Sequence, residues 1–209
     1  GTFTDGTGTV TARDDWTYTS GTFTANEGTF TFNAVADLTA SITGTVTFNN
    51  LTFDDAGASG DRTITIASGT TLTVSGTLTL TNSNTNGTDT LNGPGAISAQ
   101  GAITTVLVGW LGSAVVTING TGNQTFTGES DSNTLVPSIN INKPSGTLSF
   151  VNTVVASNDW TYTTGTLSMG SSTITFTAQA DNTSTITGSM TFNHLTFLED
   201  GPLGSSTFT

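Results

Sequence analysis

Short runs in which every second residue is apolar recur along the whole chain. Thr29-Phe30-Thr31-Phe32, Thr45-Val46-Thr47-Phe48, Thr63-Ile64-Thr65-Ile66, Thr71-Leu72-Thr73-Val74, Thr77-Leu78-Thr79-Leu80 and Thr173-Ile174-Thr175-Phe176 share this pattern. Alternation with period two places Phe, Ile, Leu and Val on one face and Thr on the other, so each run predicts a strand with one buried and one solvated side. The runs are short, and breaks such as Ser75-Gly76, Asn49-Asn50 and Ala67-Ser68-Gly69 separate them. Strands this short need many neighbours before they are stable.

The runs belong to a longer repeat. Asp15-Trp16-Thr17-Tyr18-Thr19 returns 144 positions later as Asp159-Trp160-Thr161-Tyr162-Thr163, and the two copies continue without a gap to Leu51-Thr52-Phe53 and Leu195-Thr196-Phe197. Gly21/Gly165, Phe32/Phe176, Asp37/Asp181, Ile42/Ile186, Gly44/Gly188 and Phe48/Phe192 coincide, and 23 of the 39 positions from Asp15 to Phe53 are identical. The register persists to Thr207-Phe208-Thr209 on Thr63-Ile64-Thr65, while Gly1-Thr2-Phe3-Thr4 resembles Gly146-Thr147-Leu148-Ser149 after a one-residue shift. Residues 1–209 thus read as one continuous array, with 1–65 matching 145–209, and as a window on a longer chain. A shorter unit recurs inside it as Thr31-Phe32-Asn33-Ala34, Thr117-Ile118-Asn119-Gly120 and Thr175-Phe176-Thr177-Ala178, at intervals close to a ratio of three to two. Each is followed by an alternation of the type Leu51-Thr52-Phe53, Ile139-Asn140-Ile141 or Leu195-Thr196-Phe197. Such spacing predicts a stack that gains or loses whole coils.

Two all-β architectures fit. In a parallel β-solenoid each break is a corner, and about three strands make a coil of roughly 20 to 29 residues stacked at about 4.8 Å. In tandem β-sandwiches the breaks are hairpin turns, for which Asn86-Gly87, Asn92-Gly93 and Asn119-Gly120 are suitable dipeptides. Uniformly short strands and uneven unit spacing favour the solenoid. It predicts Phe32, Ile42, Phe48, Leu51, Phe53, Phe176, Ile186, Phe192, Leu195 and Phe197 pointing inward, with equivalent residues of the two copies on one wall. Gly1-Thr2-Phe3-Thr4 and Ser206-Thr207-Phe208-Thr209 read as ordinary strand sequence and not as caps. Each end is therefore expected to continue, into more of the same polypeptide or, less favoured, onto another copy in a filament.

Composition sharpens this picture. Thr and Gly dominate the chain, a pairing of β-branched strand formers with corner residues that leaves little room for helix. Leu, Ile, Val and Phe make up about 23% of the chain, a lean core just above the roughly 20% below which highly charged chains stay disordered. Fifteen acids face three bases for a net charge of −12, and Arg13, Arg62 and Lys143 are scattered singly. Nucleic acid and anionic lipid are excluded as partners, because both need clustered bases. No apolar run approaches the roughly 20 residues needed to span a bilayer, so no membrane insertion is expected. The absence of Cys removes disulfides and thiolate metal sites.

The Gly-Thr-Phe-Thr, Thr-Phe-Asn and Asn-Leu-Thr-Phe strings resemble the β-strand-repeat surface proteins of bacteria and archaea, akin to autotransporter and filamentous adhesins. The resemblance covers nearly the whole chain except Gly93 to Leu111. It implies an extracellular β-helical stalk or adhesive fibre on a cell surface, with glycans or host surfaces as targets, and no defined set of catalytic residues.

Candidate chemistry is sparse. His194, the single histidine, replaces Asn50 of the other copy, so the repeat does not require imidazole there. With one His and no Cys, thiol and Ser-His-acid nucleophiles lack support, and no enzyme is expected. Right-handed β-helices include polysaccharide-cleaving enzymes, some of which hold calcium with carboxylates and take a proton with a basic residue. Asp54-Asp55 and Asp61-Arg62 are the pairs that could fill those roles, and a calcium ion fits Asp54 and Asp55 only if they lie in a turn. Trp16 with Tyr18, and Trp160 with Tyr162, share a strand face. Exposed, they would form a glycan-stacking ridge; inward, they fill the core, which is the expectation. Asn50, Asn86, Asn119, Asn123 and Asn182 each open an Asn-x-Thr or Asn-x-Ser triplet, which permits glycosylation without predicting it.

Overall fold

A computed structural model describes residues 1–33, 39–55, 60–82, 89–107, 110–129, 135–179, 183–200 and 207–209. Ala34, Asp37, Asn86, Gly87, Asp181, Asn182 and Ser206 lie outside the described residues. The chain winds into a parallel β-solenoid, with no helix among the described residues. Every coil crosses three walls in the same order. Wall A carries Thr22–Thr24, Val46–Phe48, Thr71–Val74, Ala96–Ala99 and Val115–Ile118; wall B carries Thr29–Phe32, Asn50–Asp55, Leu78–Asn82, Ile103–Leu107 and Gln124–Thr127; wall C carries Trp16–Thr17, Thr39–Thr43, Thr63–Ile66 and Thr90–Asn92. Two long strands, Ser138–Val151 and Trp160–Ser168, turn the corner from wall A to wall B. Wall C continues through Leu111, Leu135–Val136, Thr153–Ala156 and Thr173–Gln179 to His194–Asp200. The paired strands run parallel; one isolated antiparallel bridge joins Glu129 and Thr153.

Parallel stacking in register converts the period-two pattern into ladders. Phe30, Leu51, Leu78, Ile103, Phe126 and Phe150 lie one above another on the inner face of wall B, and all are buried. Each such side chain contributes about 1.5–3 kcal/mol by leaving water. Asn92-Gly93 and Asn119-Gly120 are corners, not hairpins, since wall A strands follow one and precede the other. Corner length absorbs the uneven spacing: a short coil separates Leu148 from its partner Leu167, and a longer one separates Leu51 from Leu78.

The stack corrects one expectation from the sequence. Phe32 lies on wall B but its equivalent Phe176 lies on wall C; Trp16 lies on wall C but Trp160 lies on wall A. From Thr29–Phe32, six coils return to wall B at Trp160–Ser168 before the chain reaches Thr173–Gln179 one wall further on. The long repeat is thus six coils and a third, and equivalent residues do not share a wall. The three shorter units likewise fall on walls B, A and C, so their spacing is not a whole number of coils.

Locally the copies remain congruent. Trp16 pairs with Ile42 as Trp160 does with Ile186, and Phe32 stacks on Phe53 at 5.5 Å as Phe176 does on Phe197 at 5.6 Å. The Tyr18 hydroxyl donates to the Gly21 carbonyl at 2.6 Å, and Tyr162 to Gly165 at 2.6 Å. Gly44 (φ 103°) and Gly188 (φ 106°) sit over the carbonyls of Tyr18 and Tyr162, where any Cβ would collide. What repeats is the strand with its corner, not the coil. Of the inward set, Phe32, Ile42, Phe48, Leu51, Phe53 and Phe176 are buried. Ile186 and Phe192 are half-buried and Leu195 and Phe197 exposed; among the described residues only Thr207–Thr209 follows them in the stack.

Corners pack as tightly as walls. A Cβ on Gly101 would fall on the Gly76 carbonyl oxygen one coil below, with Ser75 alongside. Gly101→Ala is expected to destabilise the fold by about 1–3 kcal/mol, measured by urea unfolding, because backbone must move to admit the methyl group. An unchanged midpoint would show that this corner is loose.

Candidate functional site

The densest polar constellation is inside the stack. The inward parity that buries Leu51 and Phe53 also buries Asp55; on wall C it buries Arg62 with Ile64 and Ile66, and Asp89 with Leu91. These three meet at the inner corner between walls B and C. The Arg62 guanidinium pairs with Asp55 and lies 3.9 Å from Asp89, and it also donates to the Gly60 carbonyl at 3.1 Å. The Arg62 backbone N–H donates to Asp89 at 3.2 Å. Two acids around one base leave an excess negative charge. Burial first, and then the Asp55 carboxylate, push Asp89 up to about 7. The fully buried Trp110 packs near Phe53 at 6.1 Å and donates its indole N–H to the Thr81 carbonyl at 2.9 Å.

Stability should follow this proton. Asp89 in the unfolded chain ionises near 3.8, whereas in the fold it holds its proton to about 7. The contribution is therefore complete below 3.8 and is lost as pH rises through 7. Asp54 acts in the same sense, raised by burial and then by Asp55. The urea midpoint should be higher at pH 5 than at pH 8, and Asp89→Asn should flatten the difference. A slope that survives intact in Asp89→Asn would place its origin elsewhere.

A second buried base lies on the corner between walls A and B. Lys143 continues the inward parity of Ile139 and Ile141, and its ammonium donates to Gly120 at 2.7 Å, Gly122 at 2.9 Å and Gln124 Oε1 at 2.6 Å. Gln124 in turn donates to the carbonyls of Ala99 and Gly101. Burial pushes Lys143 below the usual lysine range.

The residues singled out from sequence are dispersed. Asp54 and Asp55 are consecutive in a strand, not in the turn that joint chelation of calcium would need, and face opposite sides, with Asp54 accepting from Asn33 at 3.1 Å. Among the described residues no three His, Asp or Glu side chains gather in a way that could hold a metal. Arg13 is exposed, and His194 is exposed opposite Thr173. Trp160 is fully buried between Phe150 and Phe176, and Trp16 is half-buried against Phe30, Phe32 and Phe48; the four aromatics do not form a continuous ridge. Asn50 spends its amide on Glu27, Gly28 and Thr77, whereas Asn123 is exposed. A surface groove of about 410 Å³ beside wall A is lined by Ser138, Asn140, Asn158 and Asp159 among others, with no base; Asp159 accepts the Thr185 N–H at 2.9 Å.

No family model, no curated protein and no solved structure matches the chain.

Proposed function

We propose that this chain is a structural segment of an extracellular surface fibre, sheath or adhesin stalk. The observation that carries this reading is the repeat itself: a strand-and-corner unit is copied along one continuous stack, and congruent copies are offset by a third of a turn. Copied corners then face successive directions around the axis, which suits a rod presented to its surroundings on all sides. The reading is non-enzymatic. Arg62, Asp55, Asp89 and Lys143 are engaged with one another or with backbone in the interior, and the groove beside wall A offers one carboxylate already bonded to backbone. Proton transfer needs a base within reach of a substrate. An antibody against the chain is expected to label the outside of intact source cells, and a panel of polysaccharides is expected to survive incubation with it. Labelling only after lysis overturns the surface reading, and release of sugar fragments replaces the stalk with a polysaccharide-cleaving β-helix.

A further inference from the structure

The outer face of wall B carries a regular grid of hydroxyls. Thr11, Thr31, Thr52, Thr79, Thr104 and Thr127 are successive partners in its parallel ladder, one on each of six levels, with no register shift between them. Two residues earlier in the chain Thr recurs at four of these levels, as Thr9, Thr29, Thr77 and Thr125, with Asn50 and Ala102 at the other two. The two ranks hold no charge and no aromatic ring; charges begin two residues beyond the Thr rank, at Arg13, Asp54 and Glu129. Stacked strands repeat at about 4.8 Å and alternate residues of one strand at about 6.6 Å, so the grid is periodic in two directions.

Strand propensity alone accounts for Thr on a solvated face, but not for hydroxyls left with nothing to bond. Among the described residues none of the six hydroxyls of the Thr rank makes a hydrogen bond within the protein, so each keeps one donor and two acceptor sites for a partner outside. Wall A differs: there Ser98 donates to Asn119 at 3.0 Å and Thr163 to Asn140 at 3.2 Å. Thr11 is exposed and the other five are half-exposed, each flanked by its neighbours in the rank. β-Branching restricts the Thr side chains to few rotamers, so little entropy is lost when a partner orders against them. Ladders of like side chains also keep stacked strands flat.

A ligand for such a face is uncharged, periodic in two directions, and both donates and accepts at every repeat. Hexagonal ice has all three properties, and its lattice repeats lie close to both spacings of the grid. A crystalline polysaccharide is also periodic, but its rings are held by exposed aromatics, and Phe30, Phe53, Phe126 and Phe150 of wall B are buried. We propose that the outer face of wall B binds ice, its Thr ranks matching hydroxyls and methyls to successive repeats of the lattice. The absence of charge on these ranks complements the uncharged lattice, since no ion has to give up its hydration. The inference adds a ligand to the rod and does not depend on the stalk reading.

The test grows ice slowly from a dilute solution of the chain of residues 1–209, with albumin present as a protein that ice excludes. The chain should be enriched in the ice relative to albumin, and a seed crystal held just below its melting point should facet and stop growing. Thr52→Tyr and Thr79→Tyr set a ring on the grid and should lose the enrichment, with circular dichroism unchanged because both positions face outward. Thr73→Tyr, on the outer face of wall A, should keep it. Exclusion of the unaltered chain from ice along with albumin overturns the proposal, whatever antibody labelling of cells shows. Enrichment retained in both folded wall B variants, or lost equally in Thr73→Tyr, overturns the assignment to this face. Adsorption to crystalline cellulose or chitin without enrichment in ice makes the ligand a solid polysaccharide instead.

Discussion

Arg62→Met is expected to cost about 3–5 kcal/mol in urea unfolding at pH 7, the penalty for leaving buried carboxylates without their counter-charge. Methionine matches the length of the stem, so the loss is electrostatic more than steric. Asp55 is the residue abandoned, since its carboxylate pairs with the guanidinium, and Asp89 is already held near its protonation point at neutral pH. The deficit should shrink as pH falls below 7, where Asp89 takes up its proton and the buried negative charge around the missing base is reduced. Asp89→Asn should be nearly neutral at pH 7 and stabilising above it, because it removes the excess charge and keeps a hydrogen-bonding group of the same shape. A small loss for Arg62→Met at every pH would mean that solvent reaches this corner and screens the pair.

Trp160→Ala should be equally damaging, about 3–5 kcal/mol, whereas Trp16→Ala should cost less than half as much in the single chain. The two tryptophans occupy identical sequence, Asp-Trp-Thr-Tyr-Thr. Trp160 has a level on either side: Phe150 at 6.0 Å, Phe176 at 5.7 Å and Met190 Sδ 3.2 Å from its indole nitrogen. Trp16 has neighbours on one side and the open hollow on the other. Thermal unfolding of both variants at low protein concentration reads the contrast. Equal losses would show that the end face is covered in solution.

These two results bear on how the fold is encoded. Alternating Thr and apolar residues specify strands, Gly and Asn specify corners, and together they are enough to predict a parallel solenoid with Phe32, Phe48 and Phe53 inside. The same parity places Asp55 on the face of Phe53, Arg62 on that of Ile64, and Lys143 on that of Ile141. The buried charges are therefore readable by continuing each alternation one step past its apolar run. What hides them is that burying a charge is costly unless it is paired, and while Asp55 precedes Arg62 on the same coil, Asp89 and the acceptors around Lys143 lie on other coils. Trp110 is less accessible, since it lies in the stretch from Gly93 to Leu111 that departs from the repeat.

The sequence by itself determined strand, corner and inward face, because each depends on a few adjacent residues and on a side-chain period of two. It also determined that two distant segments fold alike, down to Tyr18 and Tyr162 bonding to Gly21 and Gly165. Only the tertiary structure decided which wall each copy occupies, because wall position depends on the summed lengths of all intervening corners, and these vary from coil to coil. Only it brought Arg62 to Asp89, since that contact exists solely between stacked levels. Levels also explain why Phe53 is buried and Phe197 is not: the residues are equivalent, and the difference is whether another full coil lies above.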